Sequence, residues 1–362
     1  MTKVHIVIKM FVLAALIVVI SGCQKFENET SDVSYSIQTG QVFNEGVKTD
    51  MAHASSVLLL PNDKLMCVWY GGSKEGHADT RIWYSFYNLG IWDVPMQVPT
   101  DCEGMAHWNP VLQDFGSFAR VFFKVGTDTK SWVTKYCDFD YDSEILGDIK
   151  ILVEGDDSGG RGPVKNKCLV TSDGLVIAGA STEQGLWKTF FDLSSDGGNT
   201  WEKSEYVVAK TENGNDVEMI QPTLWQDETG SIHAMFRTKN KRIYRSDSED
   251  GGLTWSEAYP TSLPNNNSGI DCVTTNNGWL WLAYNPISDG RRNNLVLSLS
   301  KDDGVHWEDV VTLEESCNPF VEFSYPAIIA DGNDIVVTYT YKRKVIKYAF
   351  LHIDDECFSR LQ

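Results

Sequence analysis

Short apolar segments separated by polar turns run through most of the chain. Residues 56–60 and 65–70 are two such segments, and they flank Pro61-Asn62-Asp63. Residues 335–341 follow Asp331-Gly332 in the same way. Apolar runs of this length, bounded by Pro, Gly, Asn and Asp, are typical of β-strands. No segment beyond the first 22 residues combines helical periodicity with caps, so the pattern predicts an all-β fold.

An eight-residue pattern recurs and sets the architecture. Ser-x-Asp-Gly-Gly-x-Thr-Trp occurs at residues 194–201 and 248–255, and a variant with Asp303 and His306 occurs at residues 300–307. The Ser positions are 54 and 52 residues apart. A repeat of roughly 50 residues with several short strands is typical of a propeller blade. Extending the period in both directions predicts a six-bladed β-propeller of four-stranded antiparallel blades.

The composition of the repeat predicts tight hairpins. An Asp side chain bonds nearby backbone N–H groups, and Gly adopts positive φ at no steric cost. The Trp can then bury its ring beside the turn. We call these eight-residue repeats Asp boxes, and we interpret them as structural features and not as calcium sites.

The N-terminus has the pattern of a bacterial lipoprotein signal. Lys3 and Lys9 precede eleven apolar residues, and Ser21-Gly22-Cys23 follows. That run is too short to span a bilayer. We predict a signal peptide at 1–22, lipidation of Cys23, a polar tether at 23–45 and the propeller at 46–362. The expected location is the bacterial cell envelope, on the outer membrane and facing either the periplasm or the surface.

Charge and cysteine content narrow the function. The formal net charge of −19 argues against nucleic-acid binding, because such a surface repels phosphates. Apart from Cys23 there are seven cysteines with no CxxC pair, so zinc is not indicated. We predict no metal and no cofactor.

Polar residues recur at equivalent positions of successive repeats, each just before a predicted apolar strand. The innermost strands of a propeller surround its axis, so we expect these side chains to share a pocket. Trp108 and Asn109 would add a sugar platform and a hydroxyl partner. The residues at these positions are His53, His107, Lys165, Gln221, Asp271 and Tyr325.

Over residues 50–350 the chain resembles the sialidase superfamily of Asp-box propellers. The specific features are the three boxes, Phe236-Arg237-Thr238 and Ser324-Tyr325-Pro326. The resemblance implies that Arg237 and Arg292, or its neighbour Arg291, hold a substrate carboxylate. It further implies that Tyr325 is the nucleophile and that Glu75 or Asp79 is the acid/base.

Two positions depart from the family pattern. His53 stands where the family has its first arginine, and Gln221 stands where a Glu assists the tyrosine, unless Glu218 or Glu322 turns inward. The predicted function is an exo-acting glycoside hydrolase that removes a terminal acidic sugar from glycans. One alternative is a polysaccharide lyase that acts on uronates through Tyr325, His53, His107 and Lys165. The other is a non-catalytic glycan-binding propeller.

Overall fold

Six antiparallel sheets make up the part of the protein that the structure describes. The computed structural model describes residues 33–156 and 158–354 and the backbone of residues 24–26, and this part of the chain contains no helix. Every sheet contains a path of at least four hydrogen-bonded strands, and three sheets carry one extra short strand. The predicted all-β six-bladed propeller is confirmed.

The strands follow one another blade by blade. Blade 1 contains β3 (Met51–Leu59), β4 (Leu65–Gly72), β5 (Arg81–Asn88), β6 (Ile91–Trp92) and β7 (Met96–Gln97). Blade 2 contains β8 (Ala106–Asp114), β9 (Phe118–Gly126), β10 (Val133–Asp140), β11 (Ile145–Leu146) and β12 (Lys150–Ile151). Blade 3 contains β13 (Leu169–Val170), β14 (Val176–Thr182), β15 (Lys188–Ser194) and β16 (Glu202–Lys203).

The second half of the chain repeats this order. Blade 4 contains β17 (Met219–Gln226), β18 (Ile232–Thr238), β19 (Arg242–Ser248) and β20 (Tyr259–Pro264). Blade 5 contains β21 (Asp271–Thr274), β22 (Leu280–Tyr284), β23 (Asn294–Ser300) and β24 (Glu308–Glu315). Blade 6 contains β25 (Phe323–Asp331), β26 (Asp334–Tyr341) and β27 (Val345–Ile353), joined by β2 (Tyr35–Gln41) and β1 (Gln24–Phe26) from the N-terminus.

The two ends of the chain close the ring. β2 pairs antiparallel with β27 from Tyr35 opposite Ile353 to Gln41 opposite Lys347. Joining the first and last strands in one sheet removes the open edge that a row of six sheets would otherwise have. This corrects the predicted domain boundary, because part of the segment interpreted as a tether belongs to the propeller. Residues 1–22 and Cys23 lie outside the described residues.

Apolar side chains fill the spaces between neighbouring blades. Val68 and Tyr70 of blade 1 share a buried cluster with Val121 and Phe123 of blade 2. Other blades meet through clusters of the same kind. Each fully buried side chain of this size contributes about 1.5–3 kcal/mol, so face-to-face packing of the sheets is the main source of stability. The first strands of neighbouring blades also contact one another around the axis.

The recurring turns have the hydrogen bonds that their sequence predicts. Ser194 Oγ donates to Asp196 Oδ1 at 2.8 Å, and the Trp201 indole N–H donates to a backbone carbonyl of the same turn at 3.1 Å. The Asp196 carboxylate also accepts two backbone N–H groups. The Ser-to-Asp and Trp-to-carbonyl bonds recur in residues 248–255 and 300–307. Protein donors therefore occupy these carboxylates, which supports the structural interpretation.

Two further sequence features have a clear outcome. The six described cysteines are free thiols, and Cys67 and Cys168 are among the four that are buried. Among the described residues there is no helix with the length and hydrophobicity needed to cross a membrane.

Candidate active site

Four of the innermost strands carry the same bulge near their first residues. The bulges interrupt the strand register around Ala54, Asn109, Gln221 and Tyr325, whose φ angles are 53°, 44°, 56° and 53°. Non-glycine residues adopt positive φ rarely, and such strain persists only where the surrounding structure imposes it. Bulges commonly re-aim side chains beside active sites. The repeated bulge therefore marks one end of the axis as the candidate site.

Tyr325 lies at the centre of a hydrogen-bonded group. Arg237 Nη1 donates to the Tyr325 hydroxyl at 2.6 Å and to Gln221 Oε1 at 3.0 Å, while Asn267 Oδ1 accepts from Arg237 Nε at 2.9 Å. Because Gln221 Oε1 faces the arginine, its NH₂ group faces Tyr325, with Nε2 3.4 Å from the hydroxyl oxygen. Two donors thus converge on one phenolic oxygen and can stabilise negative charge there.

Arg292 lies near the same ring. Its guanidinium carbon is 5.6 Å from the Tyr325 ring centroid, and Nη1 donates to Glu322 Oε1 at 2.8 Å. The alternative candidate, Arg291, instead pairs with exposed Asp289 at 2.6 Å. The structure therefore selects Arg292 of the two neighbours.

A further arginine, Arg343, was missed by the sequence analysis. It lies between β26 and β27, and its Nε donates to Glu322 Oε2 at 2.7 Å while Nη1 pairs with Glu75. Glu322 thus bridges Arg292 and Arg343. Although burial raises its pKa, the surrounding positive groups, which include these two guanidiniums, hold that pKa well below the usual range. No sequence signal distinguishes Arg343 from Lys342 and Lys344 beside it.

His53 is buried next to the candidate nucleophile. Its ring centroid is 4.3 Å from that of Tyr325 and 5.5 Å from that of Tyr70. Burial, reinforced by nearby arginines that include Arg343, holds the pKa of His53 well below 6.5, so the ring is neutral. Its Nδ1 atom is buried without a hydrogen-bond partner. His53 therefore lies against the Tyr325 ring as a neutral imidazole and supplies no positive charge.

The charges at this end of the axis leave a small positive excess. Arg237, Arg292 and Arg343 contribute three positive charges, and Glu75 and Glu322 contribute two negative charges. One net positive charge remains within a strongly acidic protein. Such a site can attract one carboxylate and orient it through planar guanidinium donors.

Lys165 and Asp271 occupy the axis but do not form a substrate surface. Lys165 is 3% exposed, and its Nζ donates to Asn166 Oδ1 at 2.7 Å, to the Ile270 carbonyl at 3.0 Å and to the Pro326 carbonyl. Asp271 is equally buried and accepts from Thr223 Oγ1, Lys167 Nζ and the Ile328 N–H. Both predictions of substrate contact need correction, because these charges join blades to one another.

The residues predicted in blade 2 are also internal. His107 is buried between Thr100 Oγ1 at 2.9 Å from Nε2 and the Met105 carbonyl at 3.1 Å from Nδ1, and burial lowers its pKa to about 4. Trp108 is 3% exposed and packs edge-on against Trp132. The predictions that His107 contacts the sugar and that the Trp108 indole forms an open platform for it are therefore corrected. Asn109 keeps the bulge position but is largely buried.

The two acid/base candidates of blade 1 have different surroundings. Glu75 accepts the Tyr70 hydroxyl at 2.8 Å and pairs with Arg343, so it borders the site. Asp79 accepts the backbone N–H of Ser73 at 2.9 Å and its hydroxyl at 3.0 Å. Although its slight burial acts in the opposite direction, these bonds hold the pKa of Asp79 below its usual range, which disfavours an acid role.

One group of three possible metal ligands occurs among the described residues, at the other end of blade 4. His233 Nε2 is 3.2 Å from both Asp227 Oδ2 and Asp303 Oδ2. Asp247 lies 2.6 Å from His233 Nδ1, and Arg245 Nη2 lies 3.5 Å from Asp303. Since Arg245 already supplies a cation, we interpret the group as an ion-pair network between blades 4 and 5.

The comparisons identify the family of this propeller. The family model described as a BNR repeat-like domain matches residues 63–337, well over half of the chain. The chain belongs to this family. None of the curated proteins compared with this BNR repeat-like chain matches it.

Solved structures similar to this BNR repeat-like chain share its fold at low identity. A Dyadobacter fermentans protein of unknown function has a TM-score of 0.71 and 13% identity, covering 87% of this chain and 99% of its own. The Hadza microbial sialidase Hz136 has a TM-score of 0.71 and 14% identity, and the match covers 86% of this chain and 67% of the sialidase. The Trypanosoma rangeli sialidase in complex with the inhibitor DANA has a TM-score of 0.65 and 13% identity, and the match covers 84% of this chain and 55% of the sialidase. The neighbours thus include sialidases, and at these identities the likeness shows the fold alone.

Proposed function

We propose that this protein is an exo-acting glycoside hydrolase of sialidase-like type that removes a terminal acidic sugar from glycans. The observation that carries the proposal is the convergence of Tyr325 with Arg237, Arg292 and Arg343 at one end of the axis. A carboxylate on the sugar would be held by the guanidiniums, and the anomeric carbon would face the Tyr325 oxygen.

The departures from the family pattern fit this arrangement. Arg343 reaches the site from blade 6 and provides the cation that His53 does not. Gln221 places a donor on the Tyr325 oxygen where the family's Glu would accept a proton, so this chain would use a tyrosine oxygen stabilised as an anion by Arg237 and Gln221. Tyrosine is a credible nucleophile for an acidic sugar, as in sialidases.

Release of sugar from a panel of acidic glycans tests the proposal. We expect turnover by the wild-type protein and a loss of roughly 10³-fold or more in Tyr325→Phe, because the variant lacks the nucleophilic oxygen. Tyr206→Phe, at an exposed tyrosine on the outer part of blade 3, is the matched control and should retain activity. Absence of turnover on every glycan of the panel by the folded wild-type protein would refute the proposal.

The lyase remains a second candidate because neutral His53 packs against Tyr325. Elimination from a uronate would give an unsaturated product, which ultraviolet absorbance detects and hydrolysis does not produce. A third outcome, retained glycan affinity with neither product, would indicate a binding propeller.

We further propose that Cys23 carries a lipid that anchors the protein at the bacterial cell envelope. The support is the run of residues 10–20 followed by Ser21-Gly22-Cys23. Fractionation after expression of Cys23→Ser tests this. The variant should leave the membrane fraction, and processing that is insensitive to globomycin would refute lipidation.

A further inference from the structure

A carboxyl group on blade 3 lies in a turn beside the candidate site and has no part in the sequence predictions. Glu183 directly follows β14, and its Oε2 accepts the Thr129 hydroxyl at 3.0 Å. Trp187, in the same turn, lies with its ring 5.3 Å from the Arg237 guanidinium and 3.8 Å from Lys239 Nζ. Since Arg237 touches the Tyr325 oxygen, this turn forms one wall of the mouth.

Three other carboxyls near the mouth are each paired with a cation. Glu75 pairs with Arg343, and Glu322 lies between Arg292 and Arg343. Glu218 accepts from Lys239 Nζ at 2.8 Å and from the Trp187 N–H at 3.2 Å. Among the described residues Glu183 forms no salt bridge, and Thr129 occupies only one of its two oxygens.

The surroundings of Glu183 favour its protonated form. It is more buried than a typical surface carboxyl, and burial is the largest influence that raises its pKa. Thr129, Arg237 and Lys239 lower the pKa in part, and the negative charge of Glu75 raises it further. By contrast, the pKa of Glu218 is lowered, since its bonds with Lys239 and Trp187 outweigh burial. A raised pKa is the direction that a general acid requires, because the acid must carry its proton until the leaving group takes it.

We propose that Glu183 is the general acid that protonates the departing sugar oxygen, across the mouth from Tyr325. This inference rests on the proposed function and assigns a proton donor different from the blade 1 residues that the family resemblance implies. Glu75 then serves as the ionised partner of Arg343, which fixes that guanidinium.

Atoms, electron pairs and protons are conserved in the two proposed steps. The Tyr325 phenolate forms a bond to the anomeric carbon, the glycosidic C–O bond breaks, and its electron pair takes the proton of Glu183 to release an alcohol. Water then attacks the anomeric carbon and gives one proton to the Glu183 carboxylate. The bond to Tyr325 breaks with its electron pair returning to the phenolate, so both side chains are restored.

Two glycosides of one acidic sugar from the panel distinguish this role from a structural one. One has a sugar alcohol as leaving group, and the other has 4-methylumbelliferone, an acidic phenol that departs without a proton. Glu183→Gln should lose about 10²–10⁴-fold in kcat/KM on the first glycoside and far less on the second. Glu218→Gln, at a paired carboxyl of the same mouth, is the matched control and should show no such difference.

A second variant tests the same group with the carboxyl in place. Thr129→Val removes a donor that favours the ionised form of Glu183, so the pKa of Glu183 should rise. The basic limb of the pH profile of kcat/KM should therefore lie at higher pH in the variant than in the wild type. Equal losses on both glycosides in Glu183→Gln, or an unmoved basic limb in Thr129→Val, would overturn the inference while leaving the proposed function intact. Failure of the wild-type protein to cleave either glycoside would overturn both.

Discussion

Lys165 predicts an unusual dependence of stability on pH. The side chain is buried on the axis, where burial lowers its pKa from 10.5 to about 7 although Asp271 opposes this. Between those values the unfolded chain holds a proton that the folded chain has released, so rising pH favours the folded state. Replacing the side chain with the apolar Met of similar length, Lys165→Met, should remove this contribution.

The magnitude follows from the pKa difference. At about 1.4 kcal/mol for each pH unit, the full change from pH 7 to 10.5 is about 5 kcal/mol, and roughly 3 kcal/mol of it falls between about pH 7 and about pH 9.5. The variant also leaves the Ile270 and Pro326 carbonyls without this donor, so it should be the less stable protein throughout. The expected signature is that the gap in the free energy of unfolding widens by about 3 kcal/mol over this range.

Urea unfolding at a series of pH values measures that gap directly. Lys124, also buried with a pKa lowered to about 7 by burial, is present in both proteins and cancels in the difference. Lys210→Met, at an exposed lysine paired with Asp216, is the matched control and should give a gap independent of pH. A gap between wild type and Lys165→Met that stays constant across the range would refute the assignment of Lys165 as a desolvated amine.

Two further predictions concern charged groups that the tertiary structure brings together. Arg343→Met should raise KM for an acidic glycoside by about 10–150-fold, the equivalent of one charge-assisted hydrogen bond of about 1.5–3 kcal/mol. Arg291→Met, at the exposed arginine, is the control. An unchanged KM in Arg343→Met would exclude Arg343 from the site. At the other end of blade 4, burial lowers the pKa of His233 but the bonds with Asp247 and Asp227 raise it above 6.5 overall. The imidazolium therefore adds stability that is complete below about pH 6.5 and is lost as pH rises through the higher folded-state value. Because Lys165 and Lys124 act alike in both proteins, scanning calorimetry should show the Tm of the wild type falling relative to that of His233→Gln as pH rises. A Tm difference that stays constant with pH would contradict the network.

Much of the candidate site could be predicted because repetition in sequence becomes proximity in a propeller. The period of the Ser-x-Asp turns predicts six blades, and with the resemblance it brings Tyr325, Gln221 and Arg237 to one end of the axis. The alignment by period was less accurate in blades 1 and 2. There the bulges fall at Ala54 and Asn109, one and two residues beyond the histidines that were aligned.

What the sequence by itself determined is thus the architecture, the turns and the central tyrosine, since these depend on local chemistry and on a fixed repeat length. Only the tertiary structure decided which polar groups are buried as links between blades, as Lys165 is, and which face the mouth. Arg343 lies at the candidate site, and Glu183 is proposed to act there, because loops of blades 6 and 3 converge, and no repeat marks either residue. Whether a charged side chain binds a substrate or a carbonyl depends on its distance from solvent and from partners in other blades, and folding alone sets those distances.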